Sequence, residues 1–520
     1  MKRMMFIRPP FKGMSEYVPP HLGIATLYSY IKQRFDWIEF SLVDALADHL
    51  DVDDVVDVIE KDKPDILALT VKTMQVAQTK SIIQKVKKTY NPLIICGGNH
   101  VSVSPHEFIE AGADYAIVGE GEQALEQIIK FEYCNSNENI DLCRNICTRN
   151  TPSDAILSPC INLDGSKIVT PDWALFDLPK YNENIHVNKS IPALPIMASR
   201  GCPFQCDFCS THLTWTTKVR YRKAVDVVNE IKFCQEKWGI SDFHFYDDNL
   251  MINPDWLSEF INLIGSMNLK INWICLTRPD IILKHRELLL PMKAAGCKGF
   301  ELGFETDDDG LYLTMNKKNV KSTFRQAYEC LCDTGFEMIE FLVMAFYAGE
   351  TLQSLYKTYS ALSHYKQQDA FFVYSRYFAT PFKGTPYLEK AKEEGIDLYP
   401  GNEYRYAIFL NYMPKSFLES KLTNFSVNSV GLQFQYNMLG IDNLIYKNEF
   451  EELLKKVPLD IFGQLVNKFA QEGKNIQELC DVIYLHGKGD NIQSMLPVYE
   501  YVGRIIEFGI VTGVMKYDYK

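Results

Sequence analysis

Three cysteines stand close together in "RGCPFQCDFCSTH", residues 200–212: Cys202, Cys206 and Cys209, spaced C-x3-C-x2-C. A free cysteine is usually a small buried hydrophobe, scattered by core packing. Three on one Gly- and Pro-containing loop, with Phe204 and Phe208 between them, need another reason. Three chemistries fit. A structural zinc site could use the three thiols with His212, since Cys3His is a known zinc set. A redox pair could use Cys206 and Cys209, which leaves Cys202 unexplained. An iron–sulfur cluster normally takes four thiolates. Three would leave one iron open, and an open position is what a catalytic metal needs.

The loop follows the apolar run "LPIMAS", the first of six strand candidates; the others are "DFHFYDD", "INWICLTR", "KGFELGFE", "MIEFLVMAF" and "AFFVYSRYF". Helical patterns lie between them at 223–237, 255–266, 281–295, 319–334 and 350–365. Six strand–helix units are too few for a closed eightfold barrel and suit an open, partial (β/α)6 barrel of TIM type. Chemistry in such barrels gathers at the C-terminal strand ends. Those ends carry Asp247 and Asp248, Arg278, Glu305 and Arg376.

The first 130 residues also alternate. Short apolar runs such as "MKRMMFIRP", "DILALTV" and "LIICGG" are separated by amphipathic stretches. The pattern predicts a parallel α/β sheet of Rossmann-like, open type, built from five units. Ligands sit beyond the carboxyl ends of such strands. Here those ends carry Pro9 and Pro10, Thr70 and Thr73, Gly97 and Gly98, and Gly119 and Glu120 in "GEGE". Residues 131–190 lack periodicity; Cys143 and Cys147 there hint at a metal but have no suitably spaced partners. The region after 400 is aromatic and more helical.

The chain has 520 residues, a net charge of −12, 47% hydrophobic and 23% charged residues, as in a globular protein. The acidic balance argues against a nucleic-acid partner. No apolar run approaches the roughly 18 residues of a membrane span. The opening "MKRMMFIRPP" is too short for a signal segment. The expectation is a cytoplasmic protein whose 14 cysteines are thiols or metal ligands.

The cysteine spacing, with Phe208 as the aromatic in C-x3-C-x-aromatic-C, resembles the radical S-adenosylmethionine (SAM) superfamily. "FYAGET" at 346–351 is similar to its G-x-P-G-E-T, with departures at Tyr347 and Ala348, and "TPFKGTPYLEKAKEEG" to its P-x-x-G-T-P stretch. The resemblance covers roughly residues 190–400. It implies that Cys202, Cys206 and Cys209 hold a [4Fe-4S] cluster whose fourth iron is chelated by SAM, which one electron cleaves to a 5′-deoxyadenosyl radical. Asp247 is then the candidate for the SAM ammonium, Arg278 and Arg376 for its carboxylate, and Glu305 for the ribose.

The amino-terminal part resembles the cobalamin-binding domain that precedes many such barrels, through "PPHLGIATLYSYI", "LALTVKTMQVAQT", "IICGGNHVSVSPHEF" and "AIVGEGE". The D-x-H-x-x-G motif is absent, because Asp44 is followed by Leu46 where histidine belongs, so no histidine ligand on cobalt is expected from this loop. Cobalamin would lie on the sheet edge formed by Pro10, Thr70, Thr73, Gly97, Gly98, Gly119 and Glu120, with Lys72 or Met74 under the corrin. The implied organisation is a cobalamin-binding domain at 1–132, a linker at 133–190, a radical SAM core at 191–400 and a mainly helical region at 401–520.

The resemblance implies a cobalamin-dependent radical SAM methyltransferase acting on an unactivated carbon, less often on phosphorus. One alternative is a cyclase or oxidative enzyme using the same machinery, like the anaerobic magnesium-protoporphyrin ester cyclase. A rival of another class is a zinc-stabilised binding protein. The enzyme readings call for a small-molecule or peptide substrate and an electron donor such as flavodoxin or ferredoxin.

Overall fold

The structure is a computed structural model that describes residues 1–11, 18–134, 139–159, 164–182, 193–317, 321–365, 371–396, 413–428, 447–487, 495–511 and 514–517. It has two compact units. The first comprises Met1–Gln205, Cys209–Phe300 and Phe336–Met338, and the second Cys206–Phe208, Glu301–Gly335 and Ile339–Lys520.

The first unit opens with the expected alternation: β1 (Lys2–Arg8), α1 (Leu22–Lys32), β2 (Ile38–Asp44), α2 (Val52–Asp62), β3 (Ile66–Thr70), α3 (Val76–Thr89), β4 (Leu93–Gly97), α4 (His106–Ala111), β5 (Tyr115–Ile117) and α5 (Glu122–Tyr133). Met4, Met5, Phe6 and Ile7 of β1 are all buried, as in a strand covered on both faces. Helix starts follow local chemistry. Asp51 accepts from the Asp53 and Asp54 amides and closes a capping box on α2. A short strand the sequence did not signal, β6 (Ile146–Cys147), pairs antiparallel with β5. The order is β2-β1-β3-β4-β5-β6. Because β1 lies between β2 and β3, connections leave it in opposite directions, and a crevice opens at the ends of β1 and β3.

The second alternation follows: β7 (Ala193–Ile196), β8 (Ser199–Arg200), α6 (Thr211–Thr214), β9 (Arg220–Tyr221), α7 (Ala224–Trp238), β10 (Asp242–Phe245), α8 (Pro254–Ser266), β11 (Asn272–Thr277), α9 (Pro279–Lys284), α10 (Leu289–Ala294), β12 (Cys297–Glu305), α11 (Asp309–Thr314), α12 (Lys321–Thr334), β13 (Met338–Ala345), α13 (Leu352–Tyr365), β14 (Phe371–Phe378) and α14 (Tyr387–Glu393). In the first unit β10 pairs in parallel with both β7 and β11. The strand order runs β7-β10-β11-β12 there and β12-β13-β14 in the second unit. Successive strands are therefore neighbours, as in an open barrel wall.

One helix departs from expectation. The pattern at 281–295 predicts a single helix, but α9 ends at Lys284, the next residue, His285, has φ −122° and ψ 37°, and α10 starts at Leu289. Pro291 explains the restart. It has no N–H to donate to the turn before it, so it is tolerated only in a first helical turn.

Beyond 413 the second unit is mainly helical, with helices at Lys447–Lys456, Leu459–Glu472, Ile476–Gly487 and Leu496–Val511. All six tryptophans, at 37, 173, 215, 238, 256 and 273, fall in the first unit. Among the described residues no helix is long and apolar enough to cross a membrane.

Candidate active site

In the first unit the crevice at β1 and β3 is edged by the residues expected from the sequence. Pro9 accepts a hydrogen bond from Gln75 Nε2 at 2.6 Å, and Pro10 is buried beside it. Thr70 Oγ1 lies 3.4 Å from His21 Nε2. His21 Nδ1 accepts from the Ile24 amide, which leaves the proton on Nε2. Burial, with Arg8 and Lys72 nearby, keeps this imidazole neutral by holding its pKa well below the usual value. Lys72 has an exposed side chain. Enough protein surrounds it that desolvation, with repulsion from Arg8, lowers its amine to about 8. The two facts together describe the wall of a cleft.

Gly98 has φ +107°, and a Cβ there would meet the Val71 backbone N and O at 2.8 Å. A Cβ on Gly97 would meet nothing within 4 Å, so this backbone lies open to an approaching ligand. Thr73 Oγ1 contacts His100 Nδ1 at 3.0 Å, and His100 Nε2 reaches Glu107 at 2.7 Å. Asp44, where the missing histidine motif would begin, is committed elsewhere. It pairs with Arg8 at 3.3 Å and accepts from Tyr181 at 3.1 Å.

The three-cysteine loop follows β8; Cys202 and Cys209 fall in the first unit and Cys206 in the second. Cys202, Cys206 and Cys209 are half-buried thiols. Among the described residues no three His, Cys, Asp or Glu side chains already stand as a metal-holding group, so the fold brings the thiols onto one loop without closing a ligand set. His212 does not complete one, nor do Cys143 and Cys147. The donor chemistry suits iron, which takes thiolates from such runs.

Around the loop, Arg278 stacks on Phe204, 3.8 Å from the ring centroid, and bonds Asp280 at 3.0 Å. Asp247 turns back on the loop's root. It accepts from the Ala198 amide at 3.0 Å, the Ser199 amide at 2.5 Å and Ser199 Oγ at 2.6 Å. Burial pushes its carboxyl up to about 7 against those three donors. Its neighbour Asp248 is less enclosed and accepts from Thr211 at 2.9 Å.

Glu120 and Glu122, of the "GEGE" turn, ion-pair with arginines. Arg200 meets Glu120 at 3.2 Å and Glu122 at 2.6 Å, and Arg220 meets Glu120 at 2.5 Å. Gly119 packs under this turn, where a Cβ would come 2.5 Å from Pro159. The Glu120 carboxylate is thus occupied by protein cations. Sequence reasoning did not single out either arginine, because their partners lie far away in the chain.

In the second unit, Asp207, between Cys206 and Phe208, is buried and held through its backbone and its Oδ2, while Oδ1 has no hydrogen-bond partner among the described residues. It accepts from Tyr347 Oη at 2.5 Å and Lys390 Nζ at 2.7 Å. Its amide donates to Met315 and its carbonyl accepts from the Tyr387 amide. Tyr347 and Tyr387 stack at 4.6 Å. The departure from the family pattern at Tyr347 therefore has a partner, Asp207.

Glu305 ends β12 with φ +61°, a strained conformation for a non-glycine residue and a mark of functional sites. Its carboxylate holds Lys317 Nζ at 2.6 Å, and that ammonium stands 5.9 Å from the Phe208 ring centroid. Burial opposes the Lys317 charge, but Glu305, with Tyr312 and Cys206, holds its pKa above the ordinary lysine value. A lysine after a short helix carries no signal in sequence, so Lys317 was missed. Glu350 of "FYAGET" is buried and accepts from the Phe346 amide at 2.5 Å. Burial pushes its carboxyl up to about 8. Arg376 lies on β14, and its side chain is outside the described residues.

The comparisons with known proteins agree with this geometry. The B12 binding domain family matches residues 12–129 and the radical SAM superfamily residues 196–362. An uncharacterized methyltransferase of Pyrococcus horikoshii is 25% identical over 315 residues, covering 58% of this chain and 65% of the relative. The anaerobic magnesium-protoporphyrin IX monomethyl ester cyclase of Rubrivivax gelatinosus is 29% identical over 377 residues, covering 69% and 65%. The chain thus spans about two thirds of the length of these relatives. The solved structure of the cobalamin-dependent SAM radical enzyme OxsB, with aqua-cobalamin and SAM bound, superposes with a TM-score of 0.65 at 14% identity, over 99% of this chain and 79% of that one. With a parallel sheet bare at its switch point and a C-x3-C-x2-C loop at the root of a partial barrel, the chain belongs to the radical SAM proteins that carry a B12 binding domain ahead of the catalytic core.

Proposed function

We propose that the protein is a cobalamin-dependent radical SAM methyltransferase, placing a methyl group on an unactivated carbon of a small molecule or peptide. One observation carries the reading. Cys202 and Cys209 of the three-thiol loop and the open edge of the B12-type sheet belong to one compact unit, and the loop's root is joined to the sheet through Arg200, Glu120 and Glu122. A protein that only needed its cluster would have no reason to build the second edge there.

When bound, the cluster supplies an electron to SAM and cobalamin supplies a transferable methyl group. The chain's own residues bind and orient. Cys202, Cys206 and Cys209 are the iron ligands. Arg278, held flat on Phe204, offers a guanidinium to a carboxylate, and Arg376 is retained as a second cation. Glu305 offers an acceptor to ribose hydroxyls, with Lys317 fixing its direction. Asp247 is retained for the ammonium end, although its three internal donors make Asp248 on the same turn the freer acceptor. Pro10, Thr70, Thr73, Gly97, Gly98 and Gly119 edge the cobalamin cleft, and the Lys72 amine lines its wall.

The organisation we propose is 1–132 cobalamin domain, 133–190 linker, 191–400 radical SAM core and 401–520 helical region, in a cytoplasmic enzyme fed by flavodoxin or ferredoxin. Turnover without oxygen, with SAM carrying a deuterated methyl group and fractionated extracts as substrate, tests the reading. A product heavier by one labelled methyl supports it. A product that has lost hydrogens or gained oxygen, without label, overturns it in favour of the cyclase-like reading, which the Rubrivivax relative favours. A colourless, zinc-loaded protein would overturn both.

A further inference from the structure

We propose that Glu120 and Glu122 are positioning residues for the iron site, and that the loop carrying the three cysteines closes only when the first sheet supplies their carboxylates. The inference rests on the cluster-binding reading of the thiols but not on methyl transfer.

The loop from Gly201 to Lys218 is pinched at its base by the two-residue ladder β8–β9, in which Arg200 pairs directly with Arg220. Two arginines thus stand at directly opposed positions at the foot of the loop. Like charges directly opposite on paired strands are destabilising. Both are buried: the Arg200 and Arg220 side chains are 7% and 1% exposed. Water cannot screen them there.

The neutralising charge comes from the turn after β5. Glu120 reaches both arginines, Oε2 to Arg200 at 3.2 Å and Oε1 to Arg220 at 2.5 Å, and so bridges the two strands of the base. Glu122 adds a second bond to Arg200 at 2.6 Å. Two cations and two anions make a neutral set. Arg200 also lies over the Trp215 ring at 4.9 Å, just past α6. A Cβ on Gly119 would come within 3.5 Å of the Thr214 carbonyl. The turn therefore presses on the chain both before Cys202 and after Cys209.

Buried charge networks are rarely the cheapest way to gain stability, since apolar packing often does as well. Their better-attested use is to fix a register. Here the register fixed is that of the cysteine loop on the sheet that edges the cobalamin cleft.

The test measures iron, not turnover. Wild-type protein and the variants Glu120→Gln, Glu122→Gln and Glu120→Gln/Arg220→Gln are reconstituted without oxygen. Iron release to a chelator is timed, the electron paramagnetic resonance of the reduced cluster is recorded, and cobalamin is titrated. Glu120→Gln is expected to release iron at least about tenfold faster, because it leaves two buried, directly opposed arginines with Glu122 as the one remaining carboxylate of the set. Glu122→Gln is expected to do the same to a smaller degree. The double variant, with one guanidinium gone, is expected to recover most of the loss, which general misfolding would not allow. Cobalamin binding is expected within about twofold of wild type in Glu122→Gln, since that change is local and lies off the residues assigned to the cobalamin edge. Wild-type iron retention in Glu120→Gln overturns the proposal, as does a double variant no better than the single. A wild-type protein that takes up no iron would instead overturn the cluster reading itself.

Discussion

Lys317→Met takes the cation out of a pair buried at the end of β12 and leaves the Glu305 carboxylate, 10% exposed, with its charge uncompensated. At the observed 2.6 Å, two unit charges in an effective dielectric of about 20 attract by about 6 kcal/mol. Desolvation of both groups cancels much of that, so the pair's net worth is small. Breaking it from one side is different, and costs about 3–5 kcal/mol. Glu305→Gln should cost about as much, by stranding the ammonium. The double variant Lys317→Met/Glu305→Gln should cost far less than the sum of the singles, with a coupling of at least about 2 kcal/mol.

The second unit has no tryptophan, so global fluorescence would not see this. Amide hydrogen exchange of the peptides covering β12 and α11 reads the local opening free energy directly. The same proteins should bind SAM at least about tenfold more weakly in both singles, because a charge-assisted contact is lost or misdirected. Additivity of the two singles within about 0.5 kcal/mol would refute the argument, since independent sites add that well. Wild-type SAM affinity in Lys317→Met would refute the placement of the pair at the SAM site.

Three further outcomes follow. Glu350, with its carboxyl raised from 4.5 to about 8, binds a proton in the folded chain that the unfolded chain has lost. Its contribution to stability is therefore fully present below about pH 4.5 and falls as pH rises to about 8, by up to about 5 kcal/mol. Glu350→Gln should flatten that slope in a denaturant series, and an unchanged slope would count against it. Tyr347→Phe removes one of the two side-chain donors to Asp207, a charge-assisted bond worth about 1.5–3 kcal/mol. Its cluster should lose iron to a chelator about tenfold faster, and equal rates would sink the idea that this knot steadies the loop. Gly98→Ala forces a Cβ into the Val71 backbone at φ +107°, and should weaken cobalamin binding by at least about tenfold while iron content stays at the wild-type level. Unchanged cobalamin titration would place the corrin elsewhere.

What the sequence revealed was whatever leaves a local trace. Strands such as "INWICLTR" and "MIEFLVMAF" are buried along their length, so they read as apolar runs, and β11 and β13 lie within them. The thiol spacing is itself local. So is the loss of histidine after Asp44. The hidden features are pairings between distant residues. Nothing near Arg220 announces that it faces Arg200 across a two-residue ladder, or that both await a turn 80 to 100 positions earlier. Lys317 is one lysine among many until the fold sets it against Glu305. Asp247 was legible only in part. Its strand-end position was legible, but the three donors from Ala198 and Ser199 that occupy it were not. β6, two residues long, is too short to carry a period at all.

The uneven placement of indole rings provides a label-free optical reporter. Emission excited in the tryptophan band arises wholly from Met1–Gln205 and Cys209–Phe300, with Trp215 just beyond Cys209 and lying under Arg200. A coloured corrin or iron chromophore settling near these rings would dim them by energy transfer, while the tail beyond Ile339 stays dark throughout. Loading of the two prosthetic groups can thus be followed separately in a single cuvette, by the order in which they are added.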